Sequence, residues 1–228
     1  MTAGFTPRVS RLYDGAGNAG MLPAWAGWNG RVKQRYTIGV EEELMLLGAA
    51  PAHVPSPSSD AVLSRLSGEL SAHISPETHA SVIELATGIH RGVPEATAEL
   101  GALRSQLARE LSELGLYAAC AGTYPLARRD DIRTSGAGRY GAITASMRML
   151  ARREPTLALH VHVGVPDPED AVQLLNGFRE VVPVLLALSA NSPFNGGRDS
   201  GFASARTVIF QAFPRTGTAR CSRATATT

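Results

Sequence analysis

Three consecutive glutamates, Glu41, Glu42 and Glu43, interrupt the otherwise apolar stretch TIGVEEELML at 37–46. In a strand, residues two apart project to the same side. Glu41 and Glu43 therefore point together and repel unless a cation sits beside them. Paired carboxylates are hard oxygen ligands suited to Mg2+ or Mn2+, above all where a nucleotide phosphate completes the coordination. Salt bridging to Arg or Lys on a solvent-facing strand accounts for the same pattern. HVHVGV at 160–165 repeats the geometry with imidazoles: His160 and His162 share a side, with Leu159, Val161 and Val163 opposite. Two such rings serve as a ligand pair or a phosphate-binding pair, or stand as surface or core histidines with ordinary partners. Glu84, in ASVIELATG, is a third carboxylate in a strand-like run, suited to a metal or to a buried ion pair with arginine. Glu41, Glu43, Glu84 and His160 together make a divalent-metal site if their strands share one sheet. Glu42 faces the other way and has no assigned role. The block at 187–217 is dense in Ser, Gly, Asn and Arg. Arg198 and Arg206 within it suit planar, bidentate contacts to phosphate or carboxylate, the alternative being a solvated loop with surface arginines.

These groups need elements to carry them. Alternation from Tyr36 to Leu47 predicts a strand with Ile38, Val40, Leu44 and Leu46 on one face and Gly39, Glu41, Glu43 and Met45 on the other. A Pro/Ser loop at 51–60 leads into a short helix ending at Leu66, and two strands are expected at 69–75 and 81–87. A long helix starts at Pro94, with Leu100, Leu103, Leu107, Leu111 and Leu114 at helical spacing and Gly115 as its C-terminal stop. A strand at 116–123, a helix at 139–152 and an alternating strand at 156–165 follow. Asp167 caps the next helix, with Pro168 in its first turn. That helix runs into the apolar segment 181–190, where Pro183 kinks or divides it. The mixture predicts an α+β fold on an antiparallel sheet with packed helices. GxGxxG occurs as GAGNAG at 15–20 and GAGRYG at 136–141, neither directly after an expected strand, and GxxxxGK[ST] does not occur, so a Rossmann or P-loop nucleotide site lacks its main support.

Composition sets the class. At 228 residues, 44% hydrophobic and 18% charged, the chain has enough apolar residues for a substantial core. A formal charge of +2 gives no reason to expect a nucleic acid or an anionic membrane as partner. Cys120 and Cys221 form neither a disulfide framework nor a zinc knuckle. The N-terminus lacks the apolar core of a signal peptide, and 181–190 is too short to span a bilayer. A cytoplasmic protein is expected, with residues 1–33 as a disordered or artefactual extension, 34–220 as one partial domain and 221–228 as a low-complexity tail.

Taken in order, TIGVEEELML at 37–46, VIELATG at 82–88, GTYP at 122–125, RY at 139–140, HVHVGV at 160–165 and LSANSPF…GRDSGFASAR…FPRTG at 188–217 resemble the type 2 glutamate–cysteine ligase family, the carboxylate–amine ligases. The resemblance runs from Tyr36 to about Arg220. It implies a glutamine-synthetase-like catalytic sheet and an ATP- and Mg2+-dependent reaction, in which glutamate is activated as an acyl phosphate and joined to cysteine or another amine. By the same resemblance Glu41, Glu43, Glu84 and His160 bind metal, and His162 approaches the nucleotide phosphates. Arg198 and Arg206 are catalytic and nucleotide-binding candidates, and Arg139 and Arg215 further nucleotide-binding candidates. Tyr124, Asn195 and Ser200 stand where the family commonly has His, an aromatic residue and Thr.

Family members also continue well beyond Arg220. The chain thus resembles a ligase whose C-terminal part is missing. Such a chain is expected to leave sheet edges and apolar surface uncovered and to favour aggregation or association, including homo-oligomers. Two alternatives stand beside the ligase. One is a nucleotide-binding fragment without turnover, and the other a zinc hydrolase built on the HxH pair and Glu84.

Overall fold

The computed structural model describes residues 34–48, 59–126, 133, 156–213 and 216–217. The expected helix at 139–152, the extension 1–33, the tail 221–228, and Arg139 and Arg215 lie outside the described residues.

A central strand, β1 (Ile38–Gly48), organises the sheet. One edge pairs antiparallel with β3 (Val82–Ala86), which pairs in turn with β2 (Ile74–Pro76). The other edge of β1 serves two strands in succession. β5 (Leu159–Val163) takes its first half, from Ile38 to Glu42, and β4 (Leu116–Ala119) takes Met45 to Gly48. All these pairings are antiparallel, as the mixture of strands and separate helices predicted. The expected strand at 116–123 stops its ladder at Ala119. Beyond it Thr123 makes only an isolated bridge to Thr156.

Even-numbered residues of β1 turn toward the helices. Leu44 and Leu46 meet Ile83 and Leu85 of β3 and the leucine stripe Leu103, Leu107 and Leu111 of α3 (Val93–Glu113), all buried. Pro94 lies in the first turn of α3. Gly115 follows the helix with φ +69°, a left-handed conformation in which a side chain is strained. The turn after β3 is fastened to α3: Glu99 accepts from the Gly88 N–H and pairs with the His90 ring, while Thr87 Oγ1 accepts from the Val40 N–H.

One expected element is corrected. The strand at 69–75 is instead a single helical turn, α2 (Gly68–Ser71), and the strand begins only at Ile74. Ser67 caps that turn by accepting from the Leu70 N–H, and Glu110 on α3 accepts from both the N–H and the hydroxyl of Ser67. Leu70 is thereby driven into the core beside α1 (Ser59–Leu63). Four residues are too few for helical periodicity to register.

Asp167 caps α4 (Pro168–Phe178) by accepting from the N–H groups of Glu169 and Asp170. Pro183 sits in the first turn of α5 (Val182–Ser189), and the two helices meet at a 66° bend. The proline thus divides the segment. Among the described residues no single helix is long and apolar enough to cross a membrane. A hairpin, β6 (Phe194–Asn195) and β7 (Arg198–Asp199), precedes the short α6 (Ala205–Phe210), capped by Ser204.

Leu107, 1% exposed, belongs to the buried cluster formed by strand and helix residues. Leu107→Ala is expected to cost about 2–5 kcal/mol through the cavity it leaves. Leu188→Ala, at a side chain 79% exposed, should stay within about 0.5 kcal/mol of the parent. Urea denaturation midpoints compare the two.

Candidate active site

The face of the sheet opposite α3 carries the chemistry. Cross-strand register places Glu41 opposite His160 of β5 on one side and Ala86 of β3 on the other, and places Glu43 opposite Glu84. Glu41, Glu84 and His160 each present a ligand atom within 4.8 Å of the others, and they form a group able to hold a metal ion. His162 Nε2 lies 2.9 Å from Glu41 Oε2, and His160 Nδ1 lies 3.5 Å from the same oxygen. The donor set, two carboxylates and one imidazole, suits a hard divalent cation whose remaining positions go to water or phosphate oxygens.

Glu43 lies outside that group. It stands where β1 passes from β5 to β4, and it closes the gap with its own side chain. Its N–H donates to Ala158 O at 3.0 Å, and its Oε2 accepts from the Ala158 N–H at 2.8 Å. Burial, then the charge of Glu77, raises the Glu43 carboxyl from an ordinary 4.5 to about 7, with Glu84 adding to the rise. Glu84 is also raised, by burial first and then by Glu41 and Glu77. Both shifts have the same origin, like charges gathered in a partly dry place.

Glu77 is the acidic group that the sequence reading missed. It follows β2, two residues beyond Ser75, whose hydroxyl donates to Glu84 Oε1 at 3.4 Å. Period-two spacing from Ser75 was the available signal, and misplacing β2 at 69–75 hid it. Glu42 proves to be a strut on the helix side. Only 7% exposed, its Oε1 accepts from the Cys120 thiol at 3.1 Å and from Arg104 Nη1 at 3.4 Å, and its other oxygen has no hydrogen-bond partner. Burial and the neighbouring Glu42 push the Cys120 thiol up to about 11.

Arg206, the second residue of α6, reaches back to this face. Its Nε donates to Leu157 O at 2.7 Å, its guanidinium lies 4.8 Å over the Phe210 ring, and it attracts Glu43. Burial lowers its pKa and Glu43 opposes that. The GTYP motif seats it. Gly122 donates to Asn191 O and accepts from the Leu157 N–H, and a Cβ at Gly122 would stand 3.0 Å from Ser192 Oγ and 3.2 Å from Arg206 Cδ. Glycine is therefore what lets the 191–192 segment and α6 approach the end of β4. Tyr124, two residues on, is buried with Met45, Val82 and Leu157, and burial raises its hydroxyl to about 12. Arg198 lies on β7 opposite Asn195, exposed, and among the described residues no hydrogen bond or ion pair joins it to Glu41, Glu43 or Glu84. Ser200 donates to Pro193 O at 2.7 Å and braces the same hairpin.

Residues 37–224 match glutamate-cysteine ligase family 2, GCS2. The chain belongs to that family. Among its GCS2 relatives, a protein of Rubrobacter xylanophilus assigned by name to glutamate–cysteine ligase 2 is 41% identical over 182 residues, covering 80% of this chain and 48% of that protein. A similarly named protein of Solibacter usitatus is 36% identical over 185 residues, covering 81% and 48%. The GCS2 chain described here spans about half the length of the curated relatives it matches. The crystal structure of a bifunctional glutathione synthetase from Pasteurella multocida superposes with TM-score 0.52 at 16% identity, over 72% of this chain and 24% of that one. The α+β antiparallel sheet with packed helices is thus a fold shared with a known synthetase.

Two outcomes follow from this geometry. Gly122→Ala is expected to destabilise by about 1–3 kcal/mol, because the new methyl overpacks Ser192 and Arg206, and urea titration reads the loss. The second concerns pH. An acid whose folded pKa is raised binds more protons when folded. Raising the pH from 4.5 to about 7 therefore draws protons off the native state and lowers stability across that window. In chelator-containing buffer the urea midpoint of the parent should fall over this range, and Glu43→Gln, which keeps an acceptor for Ala158, should flatten the fall. An unchanged slope in the variant would place the raised acid elsewhere.

Proposed function

We propose that this chain supplies catalytic-sheet residues of an ATP-dependent carboxylate–amine ligase of the weak glutamate–cysteine ligase type, joining the side-chain carboxylate of glutamate to cysteine or another amine. The observation that carries the reading is the convergence of Glu41, Glu84 and His160 on one sheet face, in a chain that belongs to GCS2. A carboxylate is a poor acyl donor. In this reading its oxygen attacks the γ-phosphorus of ATP and ADP leaves. The amine then adds to the acyl phosphate and expels phosphate, losing a proton.

Such phosphoryl transfer depends on positioning and charge neutralisation rather than on covalent help from the protein. Glu41, Glu84 and His160 are the residues that would hold Mg2+, which when bound neutralises charge on the phosphate oxygens. Glu43 and Glu77 add negative potential that favours a cation there. His162, beside Glu41, is a candidate to meet phosphate oxygens. Arg206, fixed through Leu157 O, offers the rest of its guanidinium to a phosphate or to a substrate carboxylate. Arg198 is a further candidate for such an anion.

The purified chain is incubated with ATP, Mg2+, glutamate and a panel of amines, and ADP, phosphate and amide product are measured. Glu84→Gln should lower turnover by at least about 100-fold, above the loss seen when only an outer partner of a metal ligand is removed. Calorimetry with Mg-ATP separates binding from chemistry. Binding without ADP release for any amine would reduce this chain to a nucleotide-binding unit, and activity with zinc and no ATP would replace the ligase by a hydrolase.

A further inference from the structure

The two halves of β1 are held differently on the helix side of the sheet. The second half is locked by Leu44 and Leu46, which are buried with Ile83, Leu85 and the leucine stripe of α3. The first half carries Glu41 and pairs with β5, which brings His160. There Val40 is buried, but Leu159, Val161 and Val163 beside it are at least half exposed, so among the described residues apolar packing is thin. Glu42 stands at the join, its side chain only 10% exposed. Two elements reach its Oε1: α3 through Arg104 Nη1, and the end of β4 through the Cys120 thiol. Arg104 Nη2 also donates to Cys120 Sγ at 3.7 Å, closing a triangle of side chains. The second oxygen, Oε2, is buried with no hydrogen-bond partner. A buried carboxylate met on one oxygen costs stability, and apolar residues of similar volume in place of such an ion pair are often neutral or stabilising. Fold stability alone therefore does not account for Arg104 and Glu42.

We propose that Arg104 is a positioning residue for the Glu41–Glu84–His160 site, acting through Glu42. The inference rests on the reading of that group as a metal site. Glu41 and Glu42 are neighbours on one strand and project to opposite faces, so a rotation of β1 that moves one carboxylate moves the other. An apolar side chain at position 42 would leave that rotation to non-directional contacts. A guanidinium on a carboxylate is directional, and it sets the rotation from α3. The ligand atoms of a metal site have to be held to within about 0.5 Å of their working positions. Partners that touch no metal therefore govern affinity through the ligands they orient. Arg104 does so from behind the sheet, on the face opposite the three ligands.

Mn2+ is the probe, titrated without nucleotide into the 228-residue chain and followed by the electron paramagnetic resonance of the free ion. Arg104→Met should weaken Mn2+ binding by about tenfold or more, and Arg104→Lys, which keeps the charge, by less. Arg104→Met leaves the buried Glu42 with the thiol alone, so the double variant Glu42→Met/Arg104→Met is the deciding one. Its urea midpoint in chelator-containing buffer should equal or exceed that of the parent, while its Mn2+ affinity falls as in Arg104→Met. A pair that serves only the fold would move the two readouts together. Unchanged Mn2+ affinity in the double variant, or a loss of affinity matched by a lower urea midpoint, would overturn the proposal and leave the metal site standing. A parent chain that binds no Mn2+, or whose binding ignores Glu84→Gln, would remove the metal site and the proposal with it.

Discussion

Glu41, Glu43 and Glu84 carry like charges on one face of a single sheet, and the repulsion among them has to be outweighed by the packing on the other face. Leu44, Leu46, Ile83 and Leu85 supply that packing by alternating with the acids along the same two strands and locking into the leucine stripe of α3. Neither set can move without the other. The Glu43 and Glu84 carboxyls are raised first by burial and then by their acidic neighbours. A divalent ion held there would relieve the repulsion that burial intensifies.

The strands and the long helix were legible because each repeats its period several times. β1 alternates over more than four pairs of residues, and α3 carries four leucines at helical spacing, with Leu114 at its C-cap. Register followed from the same alternation, since a strand with one buried face has little freedom to slip. Legibility failed where an element is shorter than its period or where the deciding contact is distant in sequence. α2 is a single turn fixed by Ser67 and by Glu110, some forty residues away. Glu77 joins the acids only through the true position of β2. The role of Glu42 depends on Arg104 and Cys120, which reach it from α3 and from the end of β4.

The motif-rich loop at 187–217 reads differently once its contacts are known. Its serines act mainly inside the protein: Ser192 accepts from the Arg206 N–H, Ser204 caps α6, and Ser200 ties the hairpin to Pro193. What reaches the acidic face is Arg206, and it does so because Gly122 leaves room. Sequence could nominate both arginines as anion-binding, and only the fold separates the one anchored beside Glu43 from the exposed one on β7.

β1 is the common partner of β3, β4 and β5, and Glu43 fills the break between the last two with its own side chain. A slip of β1 by one residue would turn its acids toward the leucines of α3 and its leucines toward solvent, in three pairings at once. A one-residue insertion or deletion within β1 would therefore disturb the acidic cluster and the core packing together.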